Sequence, residues 1–221
     1  GISSIGDTTV VTNKWMLGTR NSFFIGIVAT LLATALGTVA ALGLSRPHMP
    51  FKAVLMAILI SPMIVPLIIT AAGMFFFYAK VNLVYTFTGI ILAHVALATP
   101  FVVITVTATL VGFDTNMTKA SQSLGAKPMK TFFKIIMPLI LPGIISGALF
   151  AFITSFDEVV IVMFMASIDQ LTIPKQMWAG IRQEISPVIL CMATCLVILS
   201  IFLLSTVELL RRRSERIRGI T

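Results

Sequence analysis

Five long apolar runs constrain the fold of this chain more than any other feature. They cover residues 22–45, 53–79, 86–112, 132–163 and 188–210. About 20 apolar residues are enough for a helix to cross the hydrocarbon core of a bilayer. A helix satisfies its own backbone hydrogen bonds in lipid, so the runs predict an all-α integral membrane protein with about five transmembrane helices.

The composition excludes an ordinary soluble domain. Hydrophobic residues make up 57% of the chain and charged residues 11%, with a mean hydropathy of +1.04, whereas soluble domains carry about 25% charged residues. The net charge of +8 does not indicate nucleic acid, because the basic residues lie at the ends of the apolar runs. A juxtamembrane cluster such as 211–218 is better matched to anionic lipid headgroups.

The distribution of basic residues predicts the topology. Eleven are placed inside: Arg46, Lys52, Lys119, Lys127, Lys130, Lys134, Arg211, Arg212, Arg213, Arg216 and Arg218. Five are placed outside: Lys14, Arg20, Lys80, Lys175 and Arg182. By the positive-inside rule, segment 1–21 is external, loop 114–131 is cytoplasmic, and loop 166–187 is external and carries a short amphipathic helix. The whole chain, 1–221, is then one transmembrane domain.

The polar loop between the third and fourth runs predicts a short helix from about Asn116 to Leu124. Asp114 or Thr115 can cap its start, Gly125 supplies its stop, and Pro128 prevents its continuation. A helix below roughly 12–15 residues is marginal alone in water. We therefore expect it to dock against a partner.

Two interruptions within the apolar runs are candidate functional sites. Pro62 and Pro66 should break the second span. Irregular backbone at membrane depth requires cover by protein or water, so the break lines a pathway or is a buried structural kink. His94 in the third span either lines the pathway or, as is commoner, bonds a carbonyl of a neighbouring helix.

Asp157 and Glu158 are the only adjacent acidic pair in the chain, and apolar sequence flanks them. Ionisable residues in such segments are costly and face a cavity or a partner. Counted along the fourth helix, the pair lies toward its outer end, where two carboxylates would attract a cation. The alternative is a structural salt bridge to Arg182 or Lys175.

No pattern in the sequence indicates catalysis or a metal site. There is no glycine-rich loop of the kind that binds nucleotide phosphates. Cys191 and Cys195 share a helix face without further ligands nearby, and we interpret them as small packing residues.

The loop also carries a family resemblance. Two stretches carry it: Lys119-Ala-Ser-Gln-Ser-Leu-Gly125 and Ile135-Ile-Met-Pro138. They resemble the signature loop of permease subunits in binding-protein-dependent type I ABC importers, Glu-Ala-Ala-x3-Gly-x9-Ile-x-Leu-Pro. Ala120, Gly125, Ile135 and Pro138 match, Ser121 and Met137 are mild changes, and Lys119 reverses the charge of the usual Glu.

Further segments look like those of polyamine-type permeases, the spermidine and putrescine importers. They include Ser155-Phe156-Asp157-Glu158, Leu171-Thr-Ile-Pro174 and Ile185-Ser-Pro187. The resemblance runs from about residue 15 to residue 204 and implies a polyamine as the solute. Related permeases carry opines, amino-acid derivatives, phosphonates or iron(III), which are the alternative solutes. Permeases of this family usually begin with one more span, which we expect this chain to lack.

The resemblance implies a multi-pass subunit in a bacterial inner membrane. Its expected partners are a second permease, two cytoplasmic ATPases that bind ATP and magnesium, and an extracytoplasmic solute-binding protein, with no cofactor in this chain. The expected ATPase-coupling residues are Asn116, Met117, Lys119, Ala120, Ser121, Leu124, Gly125 and Ala126. The expected path or gate residues are Pro62, Pro66, His94, Ser155, Phe156, Asp157 and Glu158. An ATP-independent secondary transporter or channel subunit is the less favoured alternative.

Overall fold

The computed structural model describes residues 3–46, 48–111, 115–183 and 187–217, and every regular element in these ranges is a helix. The α-helices are α1 Ser3–Leu44, α2 Lys52–Ile64, α3 Leu67–Lys80, α4 Phe87–Val111, α5 Thr115–Ser123, α6 Pro128–Thr131, α7 Met137–Phe156, α8 Val160–Met165, α9 Ile173–Gln183 and α10 Pro187–Ile217. A π-helical turn, Phe132–Ile136, joins α6 to α7, and a 3₁₀ turn, Ile168–Gln170, precedes α9. The predicted all-α fold is confirmed.

The apolar helices account for up to five membrane crossings. In the described residues, four helical stretches are long and apolar enough to cross: Lys14–Leu44, Phe87–Val111, Pro128–Phe156 and Pro187–Thr206. Helices α2 and α3 together form a fifth candidate, bent by 104° at their junction. The count agrees with the five predicted spans.

The core lies where α1, α4 and α7 pack together. Small residues of α1, among them Ala29, Ala33 and Ala41, are fully buried along this contact. Gly37 marks a close approach of α1 to α4, because a Cβ at this position would lie 2.6 Å from Cβ of Val102 on α4. Small side chains thus let the helix backbones approach closely enough to exclude lipid.

The predicted break at Pro62 and Pro66 is confirmed. Pro62 lacks the N–H that would bond the carbonyl of Ile58, and the Ser61 hydroxyl donates to that oxygen instead at 2.8 Å. Val65, which precedes Pro66, is extended with φ −70° and ψ 133°, the region to which a following proline restricts a residue. The chain therefore turns sharply before α3 begins.

Three boundaries differ from the sequence predictions. Residues 3–21 of the predicted external segment are helical and continuous with the first span. The fourth span was predicted to reach residue 163, but α7 ends at Phe156. Its beginning is also irregular: Pro138 and Pro142 cannot donate the N–H bonds that close an α-helical turn, and the preceding turn is π-helical.

The last helix, α10, is the most loosely attached of the long helices. It contacts mainly α7 and α9. Cys191 and Cys195, which we interpreted as packing residues, are exposed on it. The prediction was wrong because apolar sequence does not distinguish a face that packs inside the chain from one that meets lipid or a partner subunit.

The segment between α8 and α10 is tied to the first helix. Asn21 Nδ2 donates to the carbonyls of Asp169 and Leu171 at 2.8 and 3.0 Å. The Ser22 hydroxyl accepts the N–H of Ile173 at 2.9 Å. These bonds fix the start of α9, a short helix where loop 166–187 was predicted to hold one.

Candidate functional site

The break between α7 and α8 is built by Glu158. The first N–H groups of a helix have no partner within the helix. Glu158 Oε1 accepts the N–H of Ile161 at 2.9 Å, and Oε2 accepts the N–H of Val162 at 3.3 Å. The carboxylate thus starts α8 immediately after α7 has ended, and it sets the direction in which the chain continues.

The two acidic side chains occupy different environments. Glu158 is only 6% exposed, with both oxygens engaged by backbone N–H groups, whereas Asp157 is exposed. Phe156 and Ser155 beside them are buried. Of the four predicted path residues in this stretch, Asp157 alone presents its side chain to the surroundings.

His94 joins α4 to this break. Its side chain is 1% exposed, Nδ1 lies 2.7 Å from the Ser155 hydroxyl, and Nε2 lies 3.6 Å from Glu158 Oε2. The prediction that His94 bonds a helix carbonyl was wrong, because the ring bonds the hydroxyl of Ser155 instead. A carboxylate facing Nε2 favours a proton on that nitrogen, so Ser155 donates to Nδ1.

The cluster of His94, Ser155 and Glu158 therefore connects three helices at one buried point. The distance from Nε2 to Glu158 is longer than a hydrogen bond, and Nε2 has no other bonding partner among the described residues. A buried polar atom left in this way is costly. The arrangement holds α4 against the α7–α8 break and leaves the neighbouring Asp157 side chain exposed.

The salt bridge considered between the acidic pair and the external loop is replaced by a different contact. Lys175 Nζ donates to the carbonyls of Val162 and Ala166 at 3.3 and 3.1 Å, which closes the C-terminal end of α8. Partial burial of this amine lowers the pKa of Lys175. Arg182 is exposed. Glu158 and Lys175 thus fix opposite ends of the same short helix.

Helix α5 lies at the other end of the fourth span and agrees with the predicted helix to within a residue. Its C-terminus is closed by two backbone bonds: Gly125 N–H to Gln122 O at 2.9 Å and Ala126 N–H to Ser121 O at 3.1 Å. This is the pattern of a Schellman cap. Gly125 has φ +74°, a conformation that only glycine adopts without strain.

One side of α5 is anchored to the base of α7. The Ser121 and Thr131 hydroxyls, both buried, lie 2.6 Å apart. Leu124 is 88% exposed, and Asn116, Met117, Lys119 and Ala120 are exposed as well. The Ser121–Thr131 bond was not predicted from the sequence, because the pairing depends on how the chain folds back after Gly125.

The bend between α2 and α3 is a third candidate. No residue of α2 is buried and only Ala71 of α3 is, while Ile64, Val65, Ile68 and Ile69 at the bend are exposed. Unpaired backbone cannot face lipid at membrane depth. No other described part of the chain covers the bend.

Solved structures with this arrangement of helices are ABC transporters. A chain of the MetNI methionine ABC transporter in an inward-facing conformation matches with a TM-score of 0.66 and 20% identity, covering 96% of this chain and 98% of that one. A chain of an amino acid ABC transporter crystallised with histidines matches with a TM-score of 0.67 and 16% identity, covering 94% and 97%. The fold is that of an ABC importer permease.

The sequence places the chain within a family. The profile described as "Binding-protein-dependent transport system inner membrane component" matches residues 6–216, and the chain belongs to this family. The expected family and the multi-pass inner-membrane location are confirmed. Importers of this family work with ATPase subunits and a substrate-binding protein, which decides against an ATP-independent transporter or channel.

Individual relatives agree with the predicted subfamily. The spermidine/putrescine transport system permease protein PotC of Haemophilus influenzae is 30% identical over 195 residues, covering 88% of this chain and 76% of the relative. The PotC protein of Escherichia coli K12 is 28% identical, covering 91% and 76%. The putrescine transport system permease protein PotI of the same strain is 31% identical, covering 78% and 64%. The resemblance to polyamine-type permeases is confirmed.

Proposed function

We propose that this chain is one of two permease subunits of an ATP-driven importer and that its solute is a polyamine such as spermidine or putrescine. The similarity to spermidine/putrescine permeases over 88% of the chain is the observation that carries the solute class. The alternative solutes are opines, amino-acid derivatives, phosphonates and iron(III).

Asp157 gives the polyamine proposal its physical support. The contacts of Glu158 with Ile161, Val162 and His94 hold that carboxylate inside the fold. The exposed Asp157 is then available to a cationic solute, while Glu158 keeps the break open in the shape that presents it. In this proposal Asp157 contacts the solute, and His94, Ser155, Phe156 and Glu158 position it.

ATP-driven movement would enter at the opposite end of the same span. Pro128–Phe156 holds 29 residues, and at about 1.5 Å per residue this is roughly 43 Å, more than the thickness of a bilayer's hydrocarbon core. The lysines around α5 favour a cytoplasmic position for this helix by the positive-inside rule. A movement of α5 would pass through the Ser121–Thr131 bond and the π-helical turn into α7.

The exposed bend between α2 and α3 completes the proposed path. Ile64, Val65, Ile68 and Ile69 form an apolar surface at the bend. The second permease subunit would cover part of it, and the rest would narrow the path between the two subunits. Rocking of the two permeases would open this apolar constriction first to one side of the membrane and then to the other.

The chain itself would carry out no chemical step. Ser155, His94 and Glu158 have the residue types of a hydrolase triad, but Ser155 is buried in the helix packing, so a substrate would not reach its hydroxyl. ATP and magnesium would bind to the two ATPase subunits, and an extracytoplasmic binding protein would deliver the solute.

The test is uptake by the complete complex in proteoliposomes. Labelled spermidine, putrescine and a neutral opine are compared for wild type and Asp157→Asn, with ATP hydrolysis followed in parallel. Asp169→Asn is the matched control, because Asp169 is also exposed and follows the same break. We expect Asp157→Asn to raise the KM for polyamine about tenfold, as the loss of one charged contact of about 1.4 kcal/mol requires.

The outcomes separate the solutes. Polyamine uptake that falls in Asp157→Asn but not in Asp169→Asn, with hydrolysis retained, supports the proposal. If the wild-type complex takes up the opine and neither polyamine, the proposal of a polyamine solute is overturned. Equal losses of polyamine uptake in the two variants would show that Asp157 acts through its charge alone and makes no specific contact with the solute.

A further inference from the structure

Helix α5 presents one defined face to whatever binds it. Successive residues of an α-helix are about 100° apart, so the face opposite the anchored Ser121 is centred on Lys119 and Ser123. Ala120 and Gln122 flank them, and all four residues are exposed. The Ser121–Thr131 bond fixes this orientation relative to α7.

The residue types on this outer face favour a protein surface over a lipid surface. A helix that lies on a membrane buries large apolar side chains such as Trp, Phe or Leu in the headgroup region. The outer face of α5 carries a lysine, an alanine, a glutamine and a serine. None of these side chains is large and apolar, and the small Ala120 and Ser123 allow a partner's backbone to approach the helix closely, as in a groove that encloses it.

Charge then specifies what that groove must contain. Lys119 is the single charged residue of the outer face, and Lys127, Lys130 and Lys134 are exposed around the base of the helix. Residues 115–134 include no acidic side chain, and no ion pair involves Lys119 within the described part of the chain. An ammonium group that enters a groove loses hydration, which is unfavourable unless an opposite charge meets it.

We propose that Lys119 docks against a carboxylate in the groove of the cytoplasmic ATPase that receives α5. The surrounding lysines favour an acidic rim on the same groove, because complementary charge guides association. This inference rests on the proposed function, which places α5 at the ATPase, and it adds the sign of the charge that recognises this chain. An ATPase whose groove offers a cation at this point would be rejected.

The direct test is zero-length cross-linking of the complete transporter with a carbodiimide, which joins an amine to a carboxylate in contact with it. Cross-linked peptides are identified by mass spectrometry. We expect Lys119 joined to an Asp or Glu of the ATPase, and we expect loss of this product in Lys119→Gln. Lys52, an exposed lysine at the first position of α2, is the control and should give no product with the ATPase.

Charge exchange provides the functional test. Lys119→Glu should lower ATP-driven uptake at least tenfold, whereas Lys119→Arg should stay within about twofold of wild type. Glu and Lys have similar helix propensities, so α5 remains folded in both variants. Replacing the cross-linked carboxylate of the ATPase by Lys should restore Lys119→Glu to at least half of wild-type uptake.

A cysteine at Ala120 separates this inference from the proposed function. Cys191 and Cys195 are exposed, so both are first replaced by Ser. Ala120→Cys should then cross-link to cysteines introduced in the ATPase groove. If it does not, the proposed function fails.

If Ala120→Cys does cross-link, the charge proposal can still fail by itself. It is overturned when Lys119 joins no ATPase carboxylate and Lys119→Glu transports normally. It is equally overturned when the loss in Lys119→Glu follows the anionic lipid content of the proteoliposomes and the exchanged ATPase does not restore uptake, because Lys119 then binds lipid headgroups.

Discussion

Removal of the Glu158 carboxylate tests whether this residue is a structural cap or a solute ligand. Its two oxygens accept the N–H groups of Ile161 and Val162 at 2.9 and 3.3 Å in a buried site. A buried N–H without an acceptor costs about 1–3 kcal/mol. Glu158→Ala leaves two such groups, so the beginning of α8 should lose about 4 kcal/mol. Glu158→Gln keeps one acceptor oxygen for the shorter bond and should lose about 1.4 kcal/mol.

Hydrogen exchange of the amides in α8 measures this loss directly, because local opening exposes them to solvent. At 1.4 kcal/mol for each factor of ten, Glu158→Ala should accelerate exchange at Ile161 and Val162 by about a thousandfold. Glu158→Gln should accelerate it by about tenfold, and Asp157→Asn should leave it unchanged. A peptide from the centre of α4 controls for general unfolding. Equal acceleration in Glu158→Gln and Asp157→Asn would refute the separate roles of the two carboxylates.

Three further sets of substitutions test the coupling helix and the helix packing. Gly125→Val should strain a residue at φ +74° by at least about 1 kcal/mol and uncouple ATP hydrolysis from uptake, with Gly125→Asn milder; unchanged coupling would contradict the role of α5. Ser121→Ala and Thr131→Val should each lower the ratio of uptake to hydrolysis about three- to tenfold, because each leaves one buried hydroxyl unpaired. The double variant should be no worse than either single variant. Gly37→Leu should lower the melting temperature of the complex markedly by overpacking α1 against α4, whereas Gly43→Leu, with open space around it, should not.

Much of the fold was predictable because membrane helices are specified locally. Apolar length and proline position predicted the spans and the break at Pro62 and Pro66, and the Gly125 stop located the end of α5. The end of α7 at Phe156 was missed, since the apolar sequence continues through Val160–Met165 without a turn signal. A span boundary inside continuous apolar sequence depends on what the neighbouring helices pack against.

Four of the candidate residues lie together at the α7–α8 break, but the different environments of the two acidic side chains could not be predicted from the sequence. Asp157 and Glu158 are adjacent and chemically alike. Only the position of α4 brings His94 within 3.6 Å of one carboxylate and leaves the other exposed. The Ser121–Thr131 bond was unpredictable for the same reason, because it depends on how the chain returns after the Gly125 turn.

The sequence by itself determined the class of fold, the number of apolar helices and the family, because each follows from composition and spacing along one chain. Tertiary structure alone decided which face of each helix is buried, which acidic residue caps α8 and which face α5 presents. Every residue of an apolar helix is compatible with burial in lipid, so hydropathy gives no preference for one face. Close helix packing, at residues such as Gly37 and His94, supplies that preference.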